Sequence, residues 1–113
     1  MGESMVDGIW TYLVPQTKTG GVLVIRDAKV AGGNSAYLCT GTFTQKDDAV
    51  HMALTFELYN SYDSFGADWG DDAKRFNVVV EGGSIGDIIN GRLRRTDVAL
   101  DLEIAMIRQG DLP

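Results

Sequence analysis

At 113 residues with a formal net charge of −6, the chain holds one domain, and its acidic balance excludes the sequence-independent grip on DNA or RNA that clustered Lys and Arg provide. Anionic membranes are disfavoured for the same reason: the one dense basic run, Arg92, Arg94 and Arg95, has Asp87, Asp97 and Asp101 around it. A single cysteine, Cys39, excludes an intramolecular disulfide and a multi-cysteine zinc site and points to a reducing compartment.

The opening, MGESMVDGIW, has neither the cationic nor the apolar region of a secretory signal. Val6 stands where a myristoylation signal wants Ser or Thr. No apolar run approaches the length of a membrane span. A soluble, cytoplasmic protein is the expectation.

From there on, helical periodicity is almost absent and period-two alternation recurs. It predicts strands at 8–14, 20–26, 29–32, 35–44, 49–58, 74–81, 85–94 and 98–107. In AVHMALTFEL, Val50, Met52, Leu54, Phe56 and Leu58 share one face, with His51, Thr55 and Glu57 opposite. In RFNVVVE, Phe76, Val78 and Val80 oppose Asn77, Val79 and Glu81. In VALDLEIAMI, Val98, Leu100, Leu102, Ile104 and Met106 oppose Asp101 and Glu103. Gly, Asp and Asn, which enter turns at low cost, mark KTGG (18–21), RDAK (26–29), AGGN (31–34), QKDD (45–48), EGGS (81–84) and RRTD (94–97) as connections. Only YNSYDSFGADWGDD (59–72) breaks the hairpin rhythm. A stretch that long predicts a short helix or lid, with a turn near 61–69 capped by Ser61 or Asp63.

Successive hairpins whose strands bury one face make a meander, and a meander of about eight strands removes its edges by closing on itself. The expected fold is therefore all-β: a small antiparallel up-and-down barrel, calycin- or lipocalin-like, with an open sheet or a sandwich as the alternative. Such a barrel encloses its own side chains or one small ligand. Trp10, Tyr12, Tyr37, Phe43, Phe56, Trp69 and Phe76 would line a cavity for an apolar guest, and the same rings are what a domain of this size needs to fill itself. One strand breaks the single-sided pattern. GVLVI (21–25) is apolar on both faces, which makes Val22, Leu23, Val24 and Ile25 candidate dimer contacts.

Motifs for chemistry are few. His51, the only histidine, falls on the polar side of its strand, and Cys39 shares the parity of Tyr37 and Phe43, as a small buried hydrophobe would. The acids Asp63, Asp68, Asp71 and Asp72 lack the order of a calcium loop, and GGSIG (82–86) sits between strands, where it cradles no phosphate. No metal, cofactor or catalytic constellation is implied, and a non-enzymatic protein is expected.

The order of motifs nevertheless forms a pattern. DGIW opens the first strand. GGVLVIRDAKVAGGNSAYLCTGTF supplies a Gly-led strand, a tight turn, a short strand, and Tyr37 and Gly41 four apart; QKDD and LYNSYDSFG follow. Over residues 7–107 this resembles the GrlR family, small negative regulators of type III secretion gene expression with a calycin-like barrel. The resemblance implies a bacterial dimer that sequesters a transcriptional activator by protein contact, without touching DNA. It also implies a role for the tip between the fourth and fifth strands, where the family's founding member carries alternating Glu and Asp. Here the tip reads Gln45, Lys46, Asp47, Asp48: two acidic positions are kept, and Lys46 introduces a positive charge. Read without the resemblance, the same four residues are a solvated hairpin turn. The alternative function is a barrel that carries or senses an apolar small molecule or lipid.

Overall fold

The computed structural model of the chain describes residues 6–60 and 74–113. Within them the strands β1 (Gly8–Val14), β2 (Thr19–Arg26), β3 (Lys29–Gly33), β4 (Tyr37–Lys46), β5 (Ala49–Leu58), β6 (Arg75–Ile85), β7 (Ile88–Arg95) and β8 (Asp101–Gly110) form a closed antiparallel barrel in chain order. β8 returns to pair with β1 through Thr11↔Ile107 and Leu13↔Ala105, so the wall has no free edge. The up-and-down calycin-like barrel expected from the alternation is thus the observed fold, and the open sheet and the sandwich are set aside. A 3-10 turn, Pro15–Thr17, links β1 to β2. No helix among the described residues is long and apolar enough to cross a membrane. The helical turn expected near 61–69 with its Ser61 or Asp63 cap, together with Trp69 and the acids Asp63, Asp68, Asp71 and Asp72, lies outside the described residues.

Alternation sorts the side chains as the strands dictate. Trp10, Tyr12, Tyr37, Phe43, Phe56 and Phe76 all face inward and are buried, with Met52, Leu54, Val78, Val80, Ile89, Leu93 and Met106 among their neighbours. The Trp10 indole N–H, which could not be left unsatisfied inside, donates to the Val6 carbonyl (2.8 Å). Phe56 and Phe76 stack at 5.4 Å, and Tyr37 meets both rings edge-on. Leu23 and Ile25 point inward as well. That removes both from the expected dimer contacts, because period two leaves only Val22 and Val24 of that run outside.

Four of the expected connections are corrected. KTGG, AGGN and EGGS are not turns: Gly20 and Gly21 belong to β2, Gly32 and Gly33 to β3, Gly82 and Gly83 to β6, and the β6–β7 turn is Gly86–Asp87. At Gly32, Gly33 and Gly82 the neighbouring strand approaches too closely for a side chain, whereas Gly83 has room for one. A Cβ on Gly41 would strike the Ala53 carbonyl oxygen, and one on Gly82 the Asn90 carbonyl oxygen. The fourth correction concerns RRTD and the start of the last strand. β7 runs on to Arg95, and β8 begins at Asp101, three residues later than the alternation of Val98 and Leu100 suggests. The reason is Arg95. Its side chain is 3% exposed, lies 4.9 Å over the Phe76 ring, and holds Asp97 in a two-point pair (2.9 and 2.7 Å), which ties the connection after β7 to the end of that strand.

Candidate functional site

The hairpin tips at one end of the barrel are joined into a ring by backbone hydrogen bonds. In the β2–β3 turn Asp27 and Ala28 both have positive φ (51° and 66°), the backbone of a tight two-residue hairpin. The Phe43 N–H of β4 donates to the Ala28 carbonyl (2.9 Å). The Ser84 N–H of β6 donates to the carbonyl of Asp48 in the β4–β5 turn (2.9 Å), and the Arg108 N–H of β8 donates to the carbonyl of Asp87 in the β6–β7 turn (2.8 Å). Asp7 completes the circuit by accepting the Asp27 N–H through Oδ2 (3.3 Å). Arg108 reaches in from β8, donating through Nη2 to the Asp7 carbonyl (2.8 Å) and to Asp111 Oδ1 (2.6 Å). Beside it a cleft of about 480 Å³ opens between Asp7, Arg26, Asp27, Arg108 and Asp111.

The predicted tip residues Gln45, Lys46, Asp47 and Asp48 all lie on this rim and are exposed. β4 and β5 pair up to Lys46↔Ala49, leaving Asp47 and Asp48 as the two-residue loop. Asp47 takes positive φ (54°), a conformation Asp tolerates better than most residues. The Gln45 side-chain amide donates to the Asp47 carbonyl (2.9 Å), so Gln45 braces the loop from within. Among the described residues no ion pair reaches Asp47, Asp48 or Asp87.

The acids on the nearby wall are in a different condition. On the outer face of β6, β7 and β8, Arg92 pairs with Asp101 (2.8 Å) and Glu103 (3.5 Å), and Arg94 with Glu81 (3.3 Å) and Asp101 (3.6 Å). The hydrogen bond from Arg92 holds the Asp101 carboxyl below its ordinary range. On that wall each of three carboxylates is paired with one or both of two arginines, whereas the rim carboxylates at 47 and 48 face water and that at 87 lies within electrostatic reach of Arg108.

A second outward feature was not legible in the sequence. Strand register places Ile85, Ile88, Ile107, Thr11, Val22, Gly33 and Leu38 side by side as successive cross-strand partners. The exposed side chains of Val22 (47%), Ile107 (47%) and Leu38 (54%) make an apolar belt along it, flanked by Leu13 and Val24. At the usual inter-strand spacing the belt is roughly 29 Å long.

Groups with chemical potential elsewhere are occupied or inert. Cys39 is buried, and burial pushes its thiol up to about 12. Tyr12 is raised by burial, an effect that the hydrogen bond donated by the Asn34 amide (3.0 Å) opposes. His51 sits on the outer face. Among the described residues no three of His, Cys, Asp and Glu converge as a metal-binding group.

Sequence comparison adds no relative. No protein-family model matches the chain, and no curated protein is significantly similar to it.

Proposed function

We propose that this chain is a non-enzymatic regulatory binding protein, acting by capture of a protein partner in the manner that its resemblance to the GrlR family implies. One observation carries the reading: the rim presents unpaired carboxylates at Asp47 and Asp48 on a braced hairpin, while each acid of the adjacent wall is paired with an arginine. Unpaired rim charges add mainly to association rate and specificity, so the partner is basic and its capture is salt-sensitive. A transcriptional activator whose nucleic-acid-binding surface is cationic fits that description.

The working unit is a dimer. A stable interface buries about 800 Å² per partner. The belt and its flanking Leu13 and Val24 offer on the order of 300 Å² of outward strand surface, at a strand spacing near 4.8 Å and an i, i+2 repeat near 6.7 Å, and it curves round seven of the eight strands. Polar surface beside the Val22 and Val24 strip must supply the remainder of such an interface; sedimentation velocity at micromolar concentration tests it, and a monomer throughout that range removes the dimer.

The test of the regulatory reading is Asp47→Asn with Asp48→Asn. Affinity capture from extract of the native cells should retain a basic protein at low salt with the parent chain and lose it with the variant. Overproducing the parent, and not the variant, should change transcript levels. Indifference of both readouts to the substitutions refutes the role of the tip. A second reading, carriage of an apolar small molecule, requires the guest to part the rings of Tyr37, Phe56 and Phe76, which pack against one another beneath the Arg95 guanidinium. A lipid-like mass retained in native mass spectra of fresh protein would select it.

A further inference from the structure

The rim carboxylates do not stand alone, and what stands beside them specifies the partner more closely. The β6–β7 hairpin ends in Ile85-Gly86-Asp87-Ile88, with Ile85 paired to Ile88 and Ile88 to Ile107. All three isoleucines are on the outer face, and Ile85 is 83% exposed, the most exposed large apolar side chain among the described residues. The Ser84 N–H, one residue before Ile85, is bonded to the Asp48 carbonyl, so the isoleucine hairpin and the acidic tip are fixed side by side. Gly86 has positive φ (59°), which holds this hairpin tight and its isoleucines outward.

We infer that Ile85 and Ile88, with Asp47, Asp48 and Asp87, form one mixed docking surface that takes an amphipathic cationic helix of the partner protein. This rests on the proposed capture of a basic partner and names the chemistry captured. The choice of occupant follows from charge complementarity: the apolar pair is bordered by the unpaired carboxylates of Asp47 and Asp48 and by Asp87, with Lys46 on the tip and Arg108 beside Asp87 as the opposing charges. A purely cationic strand would leave Ile85 in water, and a purely apolar one would desolvate carboxylates without neutralising them. A helix with Leu-type residues on one side and Lys or Arg on the other satisfies both at once.

The experiment titrates the whole chain, followed by amide NMR, with two probes: a helical peptide carrying Lys on one face and Leu on the other, and oligolysine of equal charge. The amphipathic peptide is expected to shift amides at 47–48 and 85–88 and to bind more tightly. Ile85→Ser, an exposed change that leaves the remaining spectrum in place, should weaken it about tenfold, the effect of losing one buried aliphatic side chain, and leave oligolysine binding unaltered. Shifts elsewhere, absence of binding, or an affinity indifferent to Ile85→Ser overturns the inference. If Asp47→Asn with Asp48→Asn abolishes partner capture while Ile85→Ser does not, the mixed surface fails and the regulatory reading stands; if neither matters, both fail.

Discussion

Gly82 and Gly83 are adjacent, chemically identical and both in β6, yet alanine should have opposite consequences at the two positions. At Gly82 an added Cβ would run into the Asn90 carbonyl oxygen and come within 2.7 Å of the Gly91 Cα. Both obstacles are backbone of β7, which is tied to β6 on one side and to β8 on the other, so no flexible side-chain end can move aside. At Gly83 the nearest atom is the Asp48 carbonyl oxygen at 3.8 Å, ordinary contact distance. Neither glycine has positive φ, so backbone strain does not enter and the contrast is steric. Overpacking against immovable neighbours costs about 1–3 kcal/mol, and the backbone character of the clash places Gly82→Ala toward the upper end. Gly83→Ala removes freedom from the unfolded chain without native strain and should be neutral or stabilising by about 0.4–1 kcal/mol. With roughly 4 °C of midpoint per kcal/mol for a domain of this size, thermal unfolding should separate the variants by about 5–15 °C. Urea titration with equal slopes for both would show that the difference lies in the native state. Equal stabilities, or a larger loss at Gly83, would refute the account of the barrel wall and favour a turn at EGGS.

Three further expectations follow from neighbouring side chains with different surroundings. Leu23→Ala empties interior volume and should cost about 2–5 kcal/mol in urea unfolding, while Val22→Asp, one residue away on the outside, should leave stability nearly unchanged and weaken association in sedimentation. The two-point hydrogen bond from Arg95 lowers the Asp97 pKa. Its stabilisation is therefore complete above the unfolded value near 3.9 and is lost as pH falls through the lower folded value. Acid unfolding curves of Asp97→Asn should accordingly have a shallower slope than the parent in that window. Because the Cys39 thiol is buried and pushed up to about 12, iodoacetamide at pH 8 should leave the native protein unlabelled and modify it in urea; prompt native labelling would contradict the burial.

What the sequence disclosed depended on whether the information was local. In β5, Val50, Met52, Leu54 and Phe56 repeat at period two, and one strand is enough to assign its inner face. The same arithmetic placed Trp10, Tyr37 and Cys39 inside and His51 outside. AGGN and EGGS were misread because glycine serves turns and crowded strand contacts alike, and only the neighbouring strand decides which. The delayed start of β8 depends on Arg95 lying over Phe76, a ring nineteen positions earlier in the chain. At the candidate site, Asp47 and Asp48 were readable as a polar tip. The belt was not, since Ile107 becomes a neighbour of Thr11 only through a pairing that spans the chain. The junction of Ile85 with the acidic tip hangs on one hydrogen bond between Ser84 and Asp48.

The β1–β8 seam constrains how the molecule comes into being. The first strand has no second partner until the last one exists, so on a ribosome the nascent chain must wait with β1 half paired and its flank available to other chains. Closure joins segments about a hundred positions apart, the sort of long-range encounter that slows assembly of all-β domains. Truncation within β8 should therefore yield an aggregation-prone product, and a shortened but soluble barrel is not expected.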